Sequence, residues 1–189
     1  RFLRLFLSKL FGVRCVVVIT INKNWRFHLG DAPEAFQTDF DDKGWRTVTV
    51  PHDWSVEGPF SKVYSSGTGY LQGGTAWYRG RVFVPKEMKG KKIWVVFDGV
   101  YKNSQVWCNS YYLGKRASGY ATFRYDVTDF LKYGEENVLS VKVTHEDSSN
   151  SRWFTGSGIY RKVPLDFQDP VYFDESVILL AAEWKDGTP

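Results

Sequence analysis

The chain has 189 residues, enough for one domain that builds its own core without a disulfide or metal staple. Its formal net charge is only +4 and its cations are scattered (Lys89, Lys91, Lys92; Lys115, Arg116; Arg161, Lys162), which excludes the concentrated basic face of a nucleic-acid binder. Trp, Tyr and Phe make up 17% of it, a load with two uses: filling the core of an all-β fold, the commoner one, or offering flat faces to sugars or bases.

Residues 1–21 open with RFLRLFLSKL and run into the apolar VVVI at 16–19. Basic residues followed by apolar ones are the pattern of a secretory signal remnant, but Lys9 and Arg14 interrupt it and no small-residue cleavage site follows. The alternative is an N-terminal extension ending in a first strand around residues 16–21. The uninterrupted apolar run is too short to cross a bilayer, so no membrane span is expected.

Short aromatic and β-branched runs follow at Trp25–Leu29, 76–84, Lys92–Phe97, Ser104–Cys108, 121–125, 138–143 and 160–167. Turn chemistry separates them at 41–44, at Pro85 with Lys89 and Gly90, at Asp98-Gly99, at Gly114 and at 133–137. Leu139, Val141 and Val143 alternate with Ser140, Lys142 and Thr144, as in a strand with one buried face. Many short strands at this spacing predict an all-β fold, an antiparallel sandwich of the jelly-roll kind.

Two stretches, 51–74 and 145–159, do not read as strands. Loops this long in a compact domain are functional or disordered, and each of these carries Trp. After Leu165 the segment DFQDP breaks the strand pattern, and 171–184 resumes it as a last strand pair or the opening of a second β domain. The expected organisation is an extension or signal remnant over 1–21, the sandwich over 22–165, and a linker or start of a second β domain over 166–189.

No Gly-rich phosphate loop, nucleophile elbow, H-E-x-x-H or Cys/His cluster occurs, and His28, His52 and His145 lie far apart. No catalytic residue, metal or cofactor is therefore assigned. Cys15 and Cys108 have neither metal-ligand nor redox-pair spacing, and Cys108 reads as a small buried thiol. Asp53, Glu57, Glu146 and Asp147 are carboxylates of the type that glycosidases pair, although a solvated loop carboxylate is the commoner case. In the stretch NSRWFTGSGIYR at 150–161, Trp153 offers a flat face to a sugar ring, and Arg152 and Asn150 offer donors to its hydroxyls. On residue chemistry alone it is equally reasonable that Trp153 plugs the sandwich end and Arg152 is a surface charge.

The string SRWFTGSGIYRKV resembles the R-W-Y-x-G-x-G-I-Y-R-x-V segment of family 2 glycoside hydrolases, the β-galactosidase and β-glucuronidase group. Further segments resemble that family in the same order: PHDWSVEGPF at 51–60, GYLQGGTAWYR at 69–79, FDGVY at 97–101, VWCNSYYLG at 106–114 and FRYDVT at 123–128. The resemblance spans about residues 22–165 and implies a galactose-binding-domain-like jelly roll.

It also implies a non-catalytic N-terminal domain. The two catalytic glutamates of that family belong to a later (β/α)8 barrel, which at about 250 residues is too large for this sequence. The implied partners are that catalytic barrel and a carbohydrate substrate, with loop residues of this domain lent to the pocket rim. By motif match, Asn150, Arg152 and Trp153 are expected at the rim, with Asp53 and Trp54 as further candidates that alternatively fix the long loop. A free-standing carbohydrate-binding module is the rival reading, and both share the fold. A periplasmic or secreted location suits a glycan-degrading enzyme, and the sequence assigns no oligomeric state.

Three departures from the family pattern stand out. Ser110 replaces a glycine after Asn109, so the tight turn there is expected to be built differently. Cys108 occupies a variable position. His145-Glu146-Asp147 replaces a more typical Asp-Asn at what the resemblance implies is a family sugar-contact position.

Overall fold

The structure, a computed structural model, describes residues 17–146 and 154–172. Its strands are β1 (Val17–Thr20), β2 (Trp25–Leu29), β3 (Arg46–Val48), β4 (Gly74–Val84), β5 (Lys92–Phe97), β6 (Ser104–Cys108), β7 (Tyr111–Arg116), β8 (Phe123–Asp126), β9 (Glu135–His145) and β10 (Pro164–Gln168). Among the described residues there is no α-helix, only short 3-10 turns. The strands form two antiparallel sheets, one of four in the order β1-β10-β5-β8 and one of six in the order β3-β2-β4-β9-β6-β7. This is the expected all-β sandwich.

The core lies between the sheets and follows the period-2 rule. Ile93, Val95 and Phe97 of β5, with Leu165 and Phe167 of β10, face Ala76, Tyr78 and Val82 of β4 and Leu139, Val141 and Val143 of β9. The alternation read at 139–144 is therefore real. Cys108 is a free thiol in this core, and burial pushes it up to about 12. Cys15 lies outside the described residues.

Several boundaries differ from expectation for identifiable reasons. β3 has three residues, two of them exposed, too little for a sequence signal. Gly114 sits inside β7 rather than in a turn; its φ is +152°, and the Tyr125 ring occupies the space a Cβ would need. The strand expected at 160–167 begins only at Pro164 and runs to Gln168; ahead of it Gly158 forms an isolated β-bridge with Tyr101. The turn between β6 and β7 is not built differently: Asn109 and Ser110 both keep left-handed φ, +47° and +72°. Asn109 holds it by donating to the Phe130 carbonyl at 2.8 Å and accepting from Val138 N–H at 2.9 Å, while Ser110 Oγ accepts from Thr38 N–H at 2.9 Å.

The outer face of the six-stranded sheet is not left to solvent. Segment 30–45 folds across it, burying Trp77 and Arg79 of β4 almost completely. Trp77 stacks on Trp107 at 5.3 Å, which in turn stacks on Phe36 at 5.8 Å. The Arg79 guanidinium donates to Asp42 at 2.7 Å, to the carbonyls of Ala35, Gln37 and Thr38, and to Ser140 Oγ. Burial works to raise the Asp42 carboxyl, but Arg81 and Arg79 outweigh it and hold the group below the usual carboxylate value. A buried cation is tolerable only when its donors are matched in this way.

Arg79→Met should thus cost about 1–3 kcal/mol in urea-unfolding free energy, since it leaves the Ala35, Gln37 and Thr38 carbonyls without their donor and the Asp42 carboxylate with Arg81 alone. Arg79→Lys should recover only part of this, because one ammonium cannot reach acceptors spread around a planar fork. Equal stability of Arg79→Met and the parent would show that segment 30–45 is held by its aromatic contacts instead.

Candidate functional site

Two segments 104 residues apart in sequence cross at one end of the sandwich. The first is the start of the 51–74 excursion, where Asp53 caps the 3-10 turn Trp54–Glu57. The second is the strip 154–160 that leads toward β10. Asp53 Oδ1 accepts from its own turn, at Ser55 N–H (3.0 Å), and across the crossing from Ser157 N–H (2.8 Å). His52 N–H donates to the Ile159 carbonyl at 2.7 Å and Trp54 N–H to the Ser157 carbonyl at 3.1 Å. The Trp54 indole is buried and donates to the Gly73 carbonyl at 3.2 Å, tying the far end of the excursion to its beginning.

Glycine is required at this crossing for closeness as well as for conformation. Gly158 has φ +117°, and a Cβ there would lie 2.3 Å from the Tyr78 hydroxyl and 2.8 Å from the His52 carbonyl. L-residues rarely adopt such a φ, and the contact would force the two segments apart.

Beneath the crossing runs a buried polar chain. The Tyr78 hydroxyl, on the inner face of β4, receives a backbone hydrogen bond from Ile159 and lies 2.7 Å from His52 Nδ1. The other ring nitrogen, Nε2, lies 3.0 Å from Glu57 Oε1 and 3.2 Å from Arg46 Nη2, so the imidazole links the hydroxyl to both side chains whichever nitrogen carries its proton. Glu57 is also paired with Arg46. Burial lowers the His52 imidazole below its ordinary value of 6.5, against the opposing pull of Glu57. Burial also raises the Asp53 carboxyl, more than its two backbone hydrogen bonds lower it.

A second chain begins at the end of β9. His145 Nδ1 lies 2.5 Å from Ser157 Oγ, which lies 2.5 Å from Ser55 Oγ, and Ser55 donates to the Gln72 carbonyl at 2.7 Å. Since Ser55 spends its proton on Gln72, Ser157 must donate to Ser55, and His145 must donate from Nδ1. Tyr101 packs edge-on against His145 (5.0 Å) and Tyr120 (5.4 Å).

Of the residues expected at a sugar pocket, the structure places Asp53 and Trp54 at this crossing, where the polar atoms described above fix the loop. Asn150, Arg152 and Trp153 lie outside the described residues, as does Asp147. Glu146 follows β9 and is exposed. Sequence reasoning missed Tyr78, Ser55, Ser157 and Arg46. Each acts through a partner more than five residues away in sequence, and composition or spacing carries no such signal. Among the described residues, no group of three or more His, Cys, Asp or Glu side chains is arranged to hold a metal ion. No helix among them is long and apolar enough to cross a membrane.

Comparison with known proteins places this geometry. The family model described as "Glycosyl hydrolases family 2, sugar binding domain" matches residues 18–170. A β-galactosidase of Bacteroides ovatus is 48% identical over 153 residues, covering 80% of this chain and 18% of that protein. A putative β-glucuronidase of Formosa agariphila is 40% identical over 161 residues, covering 84% of this chain and 16% of that protein. The crystal structure of a β-glycosidase from Bacteroides vulgatus superposes with a TM-score of 0.78 at 42% identity, covering 82% of this chain and 20% of that one. The chain thus spans about a fifth or less of the length of these relatives.

Two outcomes follow from the geometry. Asp53→Asn keeps an acceptor for both N–H groups without a buried charge and should stay close to the parent in stability, whereas Asp53→Ala should lose about 1–3 kcal/mol on urea unfolding. The folded pKa of His52 lies below 6.5, so its contribution to stability is complete above that value and is lost as pH falls through the folded one. Urea midpoints should therefore drop as pH falls below 6.5, and drop less in His52→Gln; identical pH slopes would remove His52 from this role. Asp53 opposes this at lower pH: its raised pKa favours the neutral carboxyl in the fold, a contribution present below 3.8 and lost as pH rises through the folded value.

Proposed function

Because this chain belongs to glycosyl hydrolase family 2, as its sugar-binding domain, we propose that it is the non-catalytic scaffold and pocket rim of a glycosidase acting on β-galactosides or β-glucuronides. The observation that carries this is the Asp53–Ser157 crossing, which holds the two motif-bearing loops together at one end of the sandwich. A crossing with so many internal hydrogen bonds holds the two loops in one arrangement, and a rim that orients substrate needs such support. Asn150, Arg152 and Trp153 are the residues assigned to substrate contact, the Trp by stacking and the others by donating to hydroxyls. Asp53 and Trp54 support them.

Glycoside hydrolysis needs two carboxylates flanking the bond. Here Asp53 is committed to backbone amides, and Glu57 to Arg46 and His52. This supports assigning the chemistry to a partner barrel domain. The excursion leaves Val56, Phe60 and Val63 60%, 77% and 83% exposed, apolar surface of the kind a partner domain covers.

The test is a domain exchange in which this chain replaces the matching segment of the Bacteroides ovatus β-galactosidase. The folded chimera should hydrolyse an aryl β-galactoside. Arg152→Ala and Trp153→Ala within it should each lower kcat/KM by about 10- to 100-fold without shifting the unfolding temperature. Kinetics indistinguishable from those of the parent chimera would rule out the rim role.

A further inference from the structure

His52 sits where the two halves of the crossing meet, and it is only 9% exposed. Its ring packs edge-on against Phe27 of β2, with centroids 4.6 Å apart, and against Tyr78 of β4, at 5.6 Å. Its backbone N–H holds the Ile159 carbonyl of the opposing strip. The titratable and charged groups facing the ring are Tyr78 from β4, Arg46 from β3, Glu57 from the 3-10 turn and Asp53 next in the chain.

Each ring nitrogen is set against a group that can donate to it. Nδ1 faces the Tyr78 hydroxyl at 2.7 Å, and Nε2 faces the Arg46 guanidinium at 3.2 Å. A neutral imidazole keeps one acceptor nitrogen, so in either tautomer one of these donors is received. An imidazolium has two N–H groups and no acceptor. One N–H would then lie beside the Arg46 cation, with Glu57 shared between two positive neighbours. The other would point at the Tyr78 oxygen, which already accepts from Ile159 N–H, and the phenolic proton would lose its place on Nδ1.

Relief lies on one side. The Arg46 and Glu57 side chains reach the surface, 50% and 40% exposed, so a charged ring can leave in their direction. We propose that His52 is a proton-operated latch: on taking a second ring proton it swings out beside Glu57 and releases the backbone of 52–54 from that of 157–159, while the sandwich stays folded. The latch belongs to this chain alone and stands apart from the rim assignment. The sandwich keeps its own support in the eleven-residue strands β4 and β9, paired along their whole length.

The direction with pH follows from burial. A released imidazole titrates near 6.5 and the buried one below it, so the open form takes the proton first. Opening is favoured as pH falls from 6.5, by up to about ten-fold per pH unit, and levels off below the folded value. Asp53 acts with the opposite sign, since its raised pKa makes protonation favour the closed crossing.

Amide hydrogen exchange of the purified chain, followed from about pH 7 to about pH 5 and corrected for intrinsic rates, tests the latch. The amides of His52, Trp54, Ser157 and Ile159 should lose protection by up to about ten-fold per pH unit, while those of β4 and β9 keep theirs. His52→Gln should flatten this response. Arg46→Met alters a half-exposed side chain, removes the cation facing Nε2 and leaves Glu57 to the imidazolium, so it should shrink the total loss. The latch is overturned if the crossing amides of the parent keep their protection over this range, or lose it together with those of β4 and β9. A loss of the same size in His52→Gln, or an undiminished one in Arg46→Met, overturns it equally.

Discussion

Strand β4 is buried on both faces from Ala76 to Gly80, and a strand so placed can carry polar side chains only if other parts of the chain come to meet them. Trp77 and Arg79 point outward from the sandwich and Tyr78 points into it. Segment 30–45 meets the outward pair, supplying Asp42 and three carbonyls to the guanidinium and Asp31 to the Trp77 indole at 3.1 Å. The start of the 51–74 excursion meets the inward hydroxyl through His52. A tripeptide in the middle of one strand thus fixes both of the loops that give this sandwich its particular surface.

The end of the sandwich inherits its order from that arrangement. Tyr78 sets His52, the backbone of His52 sets Ile159, and Asp53 sets Ser157. The Tyr–His–Glu–Arg row resembles catalytic machinery on paper, yet His52 is buried with both ring nitrogens engaged, and its burial keeps it neutral. Its work is to hold two loops in contact. The same row ends at the partly exposed Arg46–Glu57 pair, so one polar chain runs from the buried crossing to the surface.

The departures from the family pattern are absorbed locally. Ser110 takes a left-handed conformation that glycine adopts at less cost, and Asn109 and Thr38 hydrogen bonds hold the turn. His145, where the family resemblance leads one to expect an Asp-Asn pair, is drawn inward to Ser157 and Tyr101. Its ring is a donor at Nδ1, and the chain of serines beyond it dictates this.

The sequence by itself determined the sandwich and most of its strands, because alternation and turn residues are local properties that each short segment declares independently. It also determined the family, since six motifs in order are a linear signal. Only the tertiary structure decided the work of Tyr78, Arg79, Ser55 and Ser157, whose partners lie far away in sequence and whose residue types are equally at home on a surface. It likewise decided that Asp53, one of many acidic residues in the chain, caps both its own turn and a strip 104 residues away. Burial and partner geometry, which make a carboxylate structural rather than solvated, exist only once the chain has closed on itself.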